Sequence, residues 1–119
     1  MQKIIPLAIV VLSLAFINAP HTLTGHWITK GQNNSKVYVD FNEDKTFKVT
    51  VDGRTENEGN YEFAKDIFTM YDKNCGMNVP GKYKLTFYTP DSVSFSVLQD
   101  SCKDRVGEVN RGVITRLKN

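Results

Sequence analysis

Past its first twenty residues the chain reads in twos. Residues 46–52 alternate cleanly, with Phe47, Val49 and Val51 pointing one way and Lys48, Thr50 and Asp52 the other. Residues 36–41 place Val37, Val39 and Phe41 on one face, and residues 82–89 set Tyr83, Leu85 and Phe87 against Lys82, Lys84 and Thr86. This period marks half-buried strands, because successive side chains leave opposite faces of a pleated backbone. The same pattern predicts strands at residues 23–29, 55–63 (Tyr61 and Phe63 together), 67–71, 93–98 (Val93, Phe95 and Val97 together) and 109–117. Residues 67–71 are apolar on both faces. Helical spacing is hard to find.

The breaks fall where turn chemistry puts them. Asp52-Gly53 is the strongest hairpin signal, since a type I′ turn needs positive φ and glycine supplies it. Asn42-Glu43-Asp44-Lys45 and Pro90-Asp91-Ser92 are polar turns, and Gly59 marks a bulge or bend. Residues 73–80 and 100–107 are expected to be loops, holding Cys75 and Cys102.

Eight strands with short connections favour antiparallel neighbours in sequence order. In meander order they can close into a barrel, which removes exposed edges. A Greek-key sandwich competes, but it needs a long connection, and no predicted loop exceeds eight residues. The expected fold is all-β: an eight-stranded antiparallel up-and-down barrel.

The N-terminus stands apart. Residues 4–17 carry no charge and follow one basic side chain, Lys3. Fourteen apolar residues are too few to cross a bilayer, which takes about 20. With Ala19 behind them they predict a secretory signal peptide over residues 1–19, cut after Ala19 or after Ala15. An uncleaved tether is the alternative. Residues 20–119 form the one domain, with no stable membrane span once the signal is gone, in a secreted or periplasmic protein. A length of 119 residues leaves no room for a two-domain cofactor enzyme, and no cofactor is expected. The 15 basic and 13 acidic residues are interspersed, so no stripe exists to neutralise phosphates and no nucleic-acid partner is expected.

In an exporting context the two cysteines, Cys75 and Cys102, pair by default. The bond would close a loop of 28 residues and contribute roughly 3.5 kcal/mol by chain entropy. In a meander the two loops emerge at the same barrel end. A reactive thiol or a metal site is the alternative, but His21 and His26 lie far away in sequence, so no metal ligand set is assigned.

Gly25-His26-Trp27 resembles the G-x-W signature of lipocalins and the wider calycin group. In that group the Trp closes one barrel end and a C-terminal Arg packs over it. The resemblance assigns that part to Arg116, with Arg111 second. Phe41-Asn42-Glu43-Asp44-Lys45-Thr46-Phe47, Glu58-Gly59-Asn60-Tyr61, Asp72 with Cys75, Gly81-Lys82-Tyr83-Lys84-Leu85, Asp100-Ser101-Cys102-Lys103-Asp104-Arg105 and Gly112-Val113-Ile114-Thr115-Arg116 are similar to pieces of small secreted bacterial lipocalin-like domain proteins. The resemblance implies a calycin-like barrel with a single disulfide; a monomer is expected. Long lipocalins differ: this chain is much shorter, and no helix flanking the barrel is evident.

The inward face is the candidate site. Phe41, Phe47, Tyr61, Phe63, Tyr83, Phe87 and Phe95 would contact a small apolar ligand, with Tyr61 and Tyr83 as polar handles. The competing reading, which the number of rings favours, is a core filled by its own side chains. Arg105 and Asp100 flank Cys102, either as a salt bridge holding the disulfide turn or as a charged rim. No nucleophile–base motif occurs, so no catalytic residue is assigned and an enzyme is not expected. The expected function is carriage of a small hydrophobic ligand. The alternative is a protein-interaction module such as an exported protease inhibitor, using Pro20-His21-Thr22-Leu23 as its probe segment.

Overall fold

The computed structural model describes residues 21–110 and 112–118. The predicted signal peptide, Pro20 and Arg111 lie outside the described residues. The strands are β1 (Gly25–Lys30), β2 (Lys36–Phe41), β3 (Thr46–Val51), β4 (Arg54–Ala64), β5 (Ile67–Asp72), β6 (Gly76–Thr89), β7 (Ser92–Asp100) and β8 (Val113–Arg116). A helix, α1 (Lys103–Val109), and one 3-10 turn (Gln32–Asn34) complete the elements. Each strand pairs antiparallel with the next, and β8 returns to β1 through Trp27 opposite Arg116. The chain is therefore a closed, eight-stranded meander barrel.

Alternation does most of the positioning. Phe41, Phe47, Tyr61, Phe68, Met70, Tyr83, Leu85, Val93 and Phe95 all point inward and are buried. The Asp52-Gly53 turn has positive φ at both residues, 48° and 84°, as a type I′ hairpin requires. Residues 67–71 bury one face, with Phe68 and Met70 in the core, and half-bury the other through Ile67, Thr69 and Tyr71.

Four expectations are corrected. Residues 76–80 are strand, not loop: Met70 pairs with Gly81 and Asp72 with Gly76, so residues 77–80 bulge out opposite Tyr71. Pro80 sits in that bulge, where no ladder donor is needed. Residues 103–109 are helix, so the last strand starts at Val113 rather than Val109. The register slip between β3 and β4 falls at Glu56, since Val49 pairs with Asn57 and Thr50 with Thr55, and not at Gly59. Val97 is 38% exposed rather than in the core. β7 carries its extra residue at Leu98, between the Tyr83–Val97 and Lys82–Gln99 pairs, so the alternation breaks there. No helix among the described residues is long and apolar enough to cross a membrane.

Candidate functional site: a barrel closed at one end and hollow at the other

The closed end is built around Trp27, which is fully buried. Its indole Nε1–H donates to the Leu23 carbonyl at 2.8 Å, and Leu23 is itself buried just before β1. The Arg116 guanidinium lies over the indole, 4.3 Å from the ring centroid. Arg116 donates from Nη1 to the Thr24 carbonyl (2.6 Å), from Nη2 to the Thr22 carbonyl (2.9 Å), and from Nε to Asp91 Oδ1 (3.0 Å). Gly25 makes the arrangement possible. Its φ is +138°, and a Cβ there would stand 2.7 Å from Arg116 Nη1. His21 stacks on Phe87 with centroids 4.2 Å apart, and Phe87 packs against Phe63. Residues 21–24 thus lie across this end of the barrel.

Above the closed end sits a layer of rings. Phe41 touches Tyr61 (5.0 Å) and Phe68 (5.7 Å) edge-on, and Phe68 meets Phe95 edge-on at 5.2 Å. Edge-to-face pairs of this kind add about 0.5–1.5 kcal/mol each beyond their area.

Beyond the rings the interior is hollow. A cavity of about 720 Å³ reaches from Phe41, Phe47, Phe68 and Phe95 to the disulfide end, where exposed Gln32, Glu56, Asn74, Asp104 and Glu108 rim its mouth. This overturns the filled-core expectation. The large rings crowd into one layer, while the next positions along β2 and β3 are Val37, Val39, Val49 and Val51, which line the void and are too small to fill it. Ligand pockets run about 300–1,000 Å³. The Glu56 bulge turns both Glu56 and its neighbour Asn57 to the cavity, which strict alternation would forbid.

A buried ion cluster holds the mouth. Arg105, on α1, is 4% exposed. It grips Asp100 bidentately, Nε to Oδ2 and Nη2 to Oδ1, both at 2.7 Å. Nη2 also donates to the Val79 carbonyl (2.9 Å), which the β6 bulge turns toward it. Nη1 reaches Asp72 Oδ2 at 3.4 Å. The same carboxylates cap the disulfide: Asp72 accepts the Cys75 N–H (2.8 Å) and Asp100 the Cys102 N–H (2.9 Å). Cys75 and Cys102 are bonded, joining the β5–β6 turn to the start of α1. A Cβ at Gly81 would lie 2.5 Å from Asp100 Oδ2, so the strand backbone must be bare there. Burial opposes ionisation of Asp100, but hydrogen bonds from Arg105, Tyr83 and the Cys102 N–H outweigh it and hold the carboxyl below its ordinary range. Burial, together with the bond to Asp100, pushes the Tyr83 phenol far above its ordinary value.

Of the seven predicted ligand contacts, Phe41, Phe47 and Phe95 stand on the cavity wall. Phe63 and Phe87 lie at the closed end. Tyr61 and Tyr83 are buried, and their hydroxyls are committed: Tyr61 donates to the Asn42 carbonyl at 3.0 Å and Tyr83 to Asp100. Neither is a free polar handle. Val37, Val39, Val49 and Val51, which the alternation put on the inward face, line the cavity as well, whereas sequence reasoning missed Phe68 and Met70 as wall residues. It also missed Asp72 as a buried ion; its place two residues beyond Met70 on an alternating strand was the available signal. Among the described residues no group of three or more His, Cys, Asp or Glu side chains is placed to hold a metal.

Fold and site together define a closed β-barrel with one sealed end and one open, mainly apolar cavity. Comparison with protein-family models, with curated proteins and with solved structures finds no match.

Proposed function

We propose that this chain is a lipocalin-like carrier, exported from the cell, that holds a small apolar molecule inside the barrel without transforming it. The cavity carries this reading: about 720 Å³, walled by valines and phenylalanines and open at one end. That volume lies within the usual range of ligand pockets, about 300–1,000 Å³. The G-x-W piece, with Arg116 over Trp27, supports the family likeness. The Cys75–Cys102 bond supports residence in an oxidising compartment.

Carriage is favoured over a role as a protease inhibitor. An inhibitory segment must project, whereas His21 stacks on Phe87, Leu23 is buried, and the Thr22 and Thr24 carbonyls are bonded to Arg116.

Titration of isotope-labelled protein with decanol tests the proposal by NMR. Carriage predicts saturable shifts at the methyls of Val39 and Val49 and at the Phe47 ring, with little change at outward-facing Lys48 and Thr50. Shifts confined to the outer surface, or none at all, contradict it.

A further inference from the structure

The cavity is charged in the opposite sense to the rest of the molecule. The whole chain has a formal charge of +2. The cavity wall carries four acids, Glu56, Asp72, Asp104 and Glu108, against two bases, Lys30 and Arg105. Glu56 has a surface partner in Arg54 at 3.6 Å. Asp104 and Glu108, one turn apart on α1, make no ion pair with any described residue. The deeper charges are paired with one another. Asp72 and Asp100 have fully buried side chains and share a single guanidinium. Arg105 is spent mainly on Asp100, at 2.7 Å twice, and reaches Asp72 only at 3.4 Å. Buried charge is ordinarily matched by a partner. Both carboxylates find partners within the protein, Asp72 through Arg105 Nη1 and the Cys75 N–H, so the unpaired negative charge facing the cavity is that of Asp104 and Glu108 at the mouth.

We propose that the guest is an amphipathic organic cation: an apolar body lying against the valines and phenylalanines, and a protonated amine at the mouth beside Asp104 and Glu108. This inference rests on the carrier reading and adds to it the chemical class of the ligand. A low-dielectric wall beneath rim carboxylates focuses negative potential into the mouth, which draws a cation and repels a carboxylate. A fatty acid, the obvious anionic guest for an apolar barrel, meets the wrong sign there.

The test compares three competitors with one body and different heads: decylamine, decanol and decanoate. Each displaces a neutral fluorescent probe, N-phenyl-1-naphthylamine, from the purified protein at pH 7, below its micelle concentration. The amine should bind about tenfold tighter than the alcohol, a margin two rim carboxylates supply at surface strength. Decanoate should bind weakest. In an Asp104→Asn/Glu108→Gln variant the preference should shrink to about twofold while decanol affinity holds, because both residues are exposed and outside the core. Added salt should also shrink it. Equal affinities, a preference for decanoate, or a preference that survives in the variant overturns the inference and leaves carriage standing. If decanol does not displace the probe either, the carrier reading falls, and the inference with it.

Discussion

Arg105 and Asp100 form a two-pronged pair, both contacts at 2.7 Å, inside the wall of the barrel mouth. The pair joins α1 to the end of β7, and its backbone contacts fasten it to the disulfide and to the bulge of β6. Removing the cation leaves two carboxylates buried without a countercharge. Arg105→Met should therefore cost about 3–5 kcal/mol of unfolding free energy in urea. Replacing all three charges at once (Arg105→Met, Asp72→Asn, Asp100→Asn) should restore part of it. A single-variant loss under about 1 kcal/mol would show that the cluster is not buried as described.

The same cluster sets an acid limit. The Asp100 carboxyl is held below its ordinary value of 3.8 by Arg105, Tyr83 and the Cys102 N–H. A depressed carboxylate contributes stability that is full above the unfolded-state value and is lost as pH falls through the lower folded value. Denaturation curves should be flat from pH 7 to about 5 and fall steeply below about 4. In Arg105→Met that fall should be shallower, because the carboxyl no longer gains from ionising. An equally steep fall in the variant would place the pH dependence elsewhere.

The disulfide acts on one end of the barrel. Cys75→Ala/Cys102→Ala should lose roughly 3.5 kcal/mol, the chain-entropy value for the loop it closes. Amide exchange should quicken first at α1 and around residues 73–80, while β1 and β8 near Trp27 keep their protection. Uniform loosening across both ends would contradict the division into a clasped mouth and a separately sealed base.

Trp27 is the sole tryptophan and reports on that base. Arg116→Ala removes the cation over the ring and four hydrogen bonds. It should cost about 2 kcal/mol and shift the indole emission to longer wavelength. Gly25→Ala should do the same with the arginine itself unsubstituted, since its methyl group would crowd Nη1 at 2.7 Å. Unchanged emission in both variants would mean that the seal does not depend on this contact.

Much of the fold was legible because alternation survives wherever one strand face is buried. The pattern of Phe47, Val49 and Val51, the Asp52-Gly53 turn and the pairing of two cysteines all express local rules that tertiary contacts leave intact. The misses share a physical cause. Pro80 reads as a breaker, yet it lies in a bulge of β6 that asks for no ladder donor. Lys103–Val109 is a seven-residue helix containing Gly107, too short for its period to stand out. The cavity was hidden for a different reason. Counting rings measures total volume, whereas the void depends on where they lie: Phe41, Phe68 and Phe95 cluster edge-on at one level, and the valines above them leave space. Asp72 was legible as a strand position and illegible as an ion, because its partner is 33 residues away on a helix that the pattern did not predict.

The central claim is that the barrel interior admits a guest between the ring layer and the mouth. The most direct measurement is a titration of N-phenyl-1-naphthylamine into the native protein and into Val49→Trp, whose indole would fill the valine-lined space. The account predicts saturable binding at one site per native chain, with blue-shifted and enhanced emission, and loss of that binding in a folded Val49→Trp variant. No saturable signal from the native protein, or equal binding by the filled variant, would contradict it.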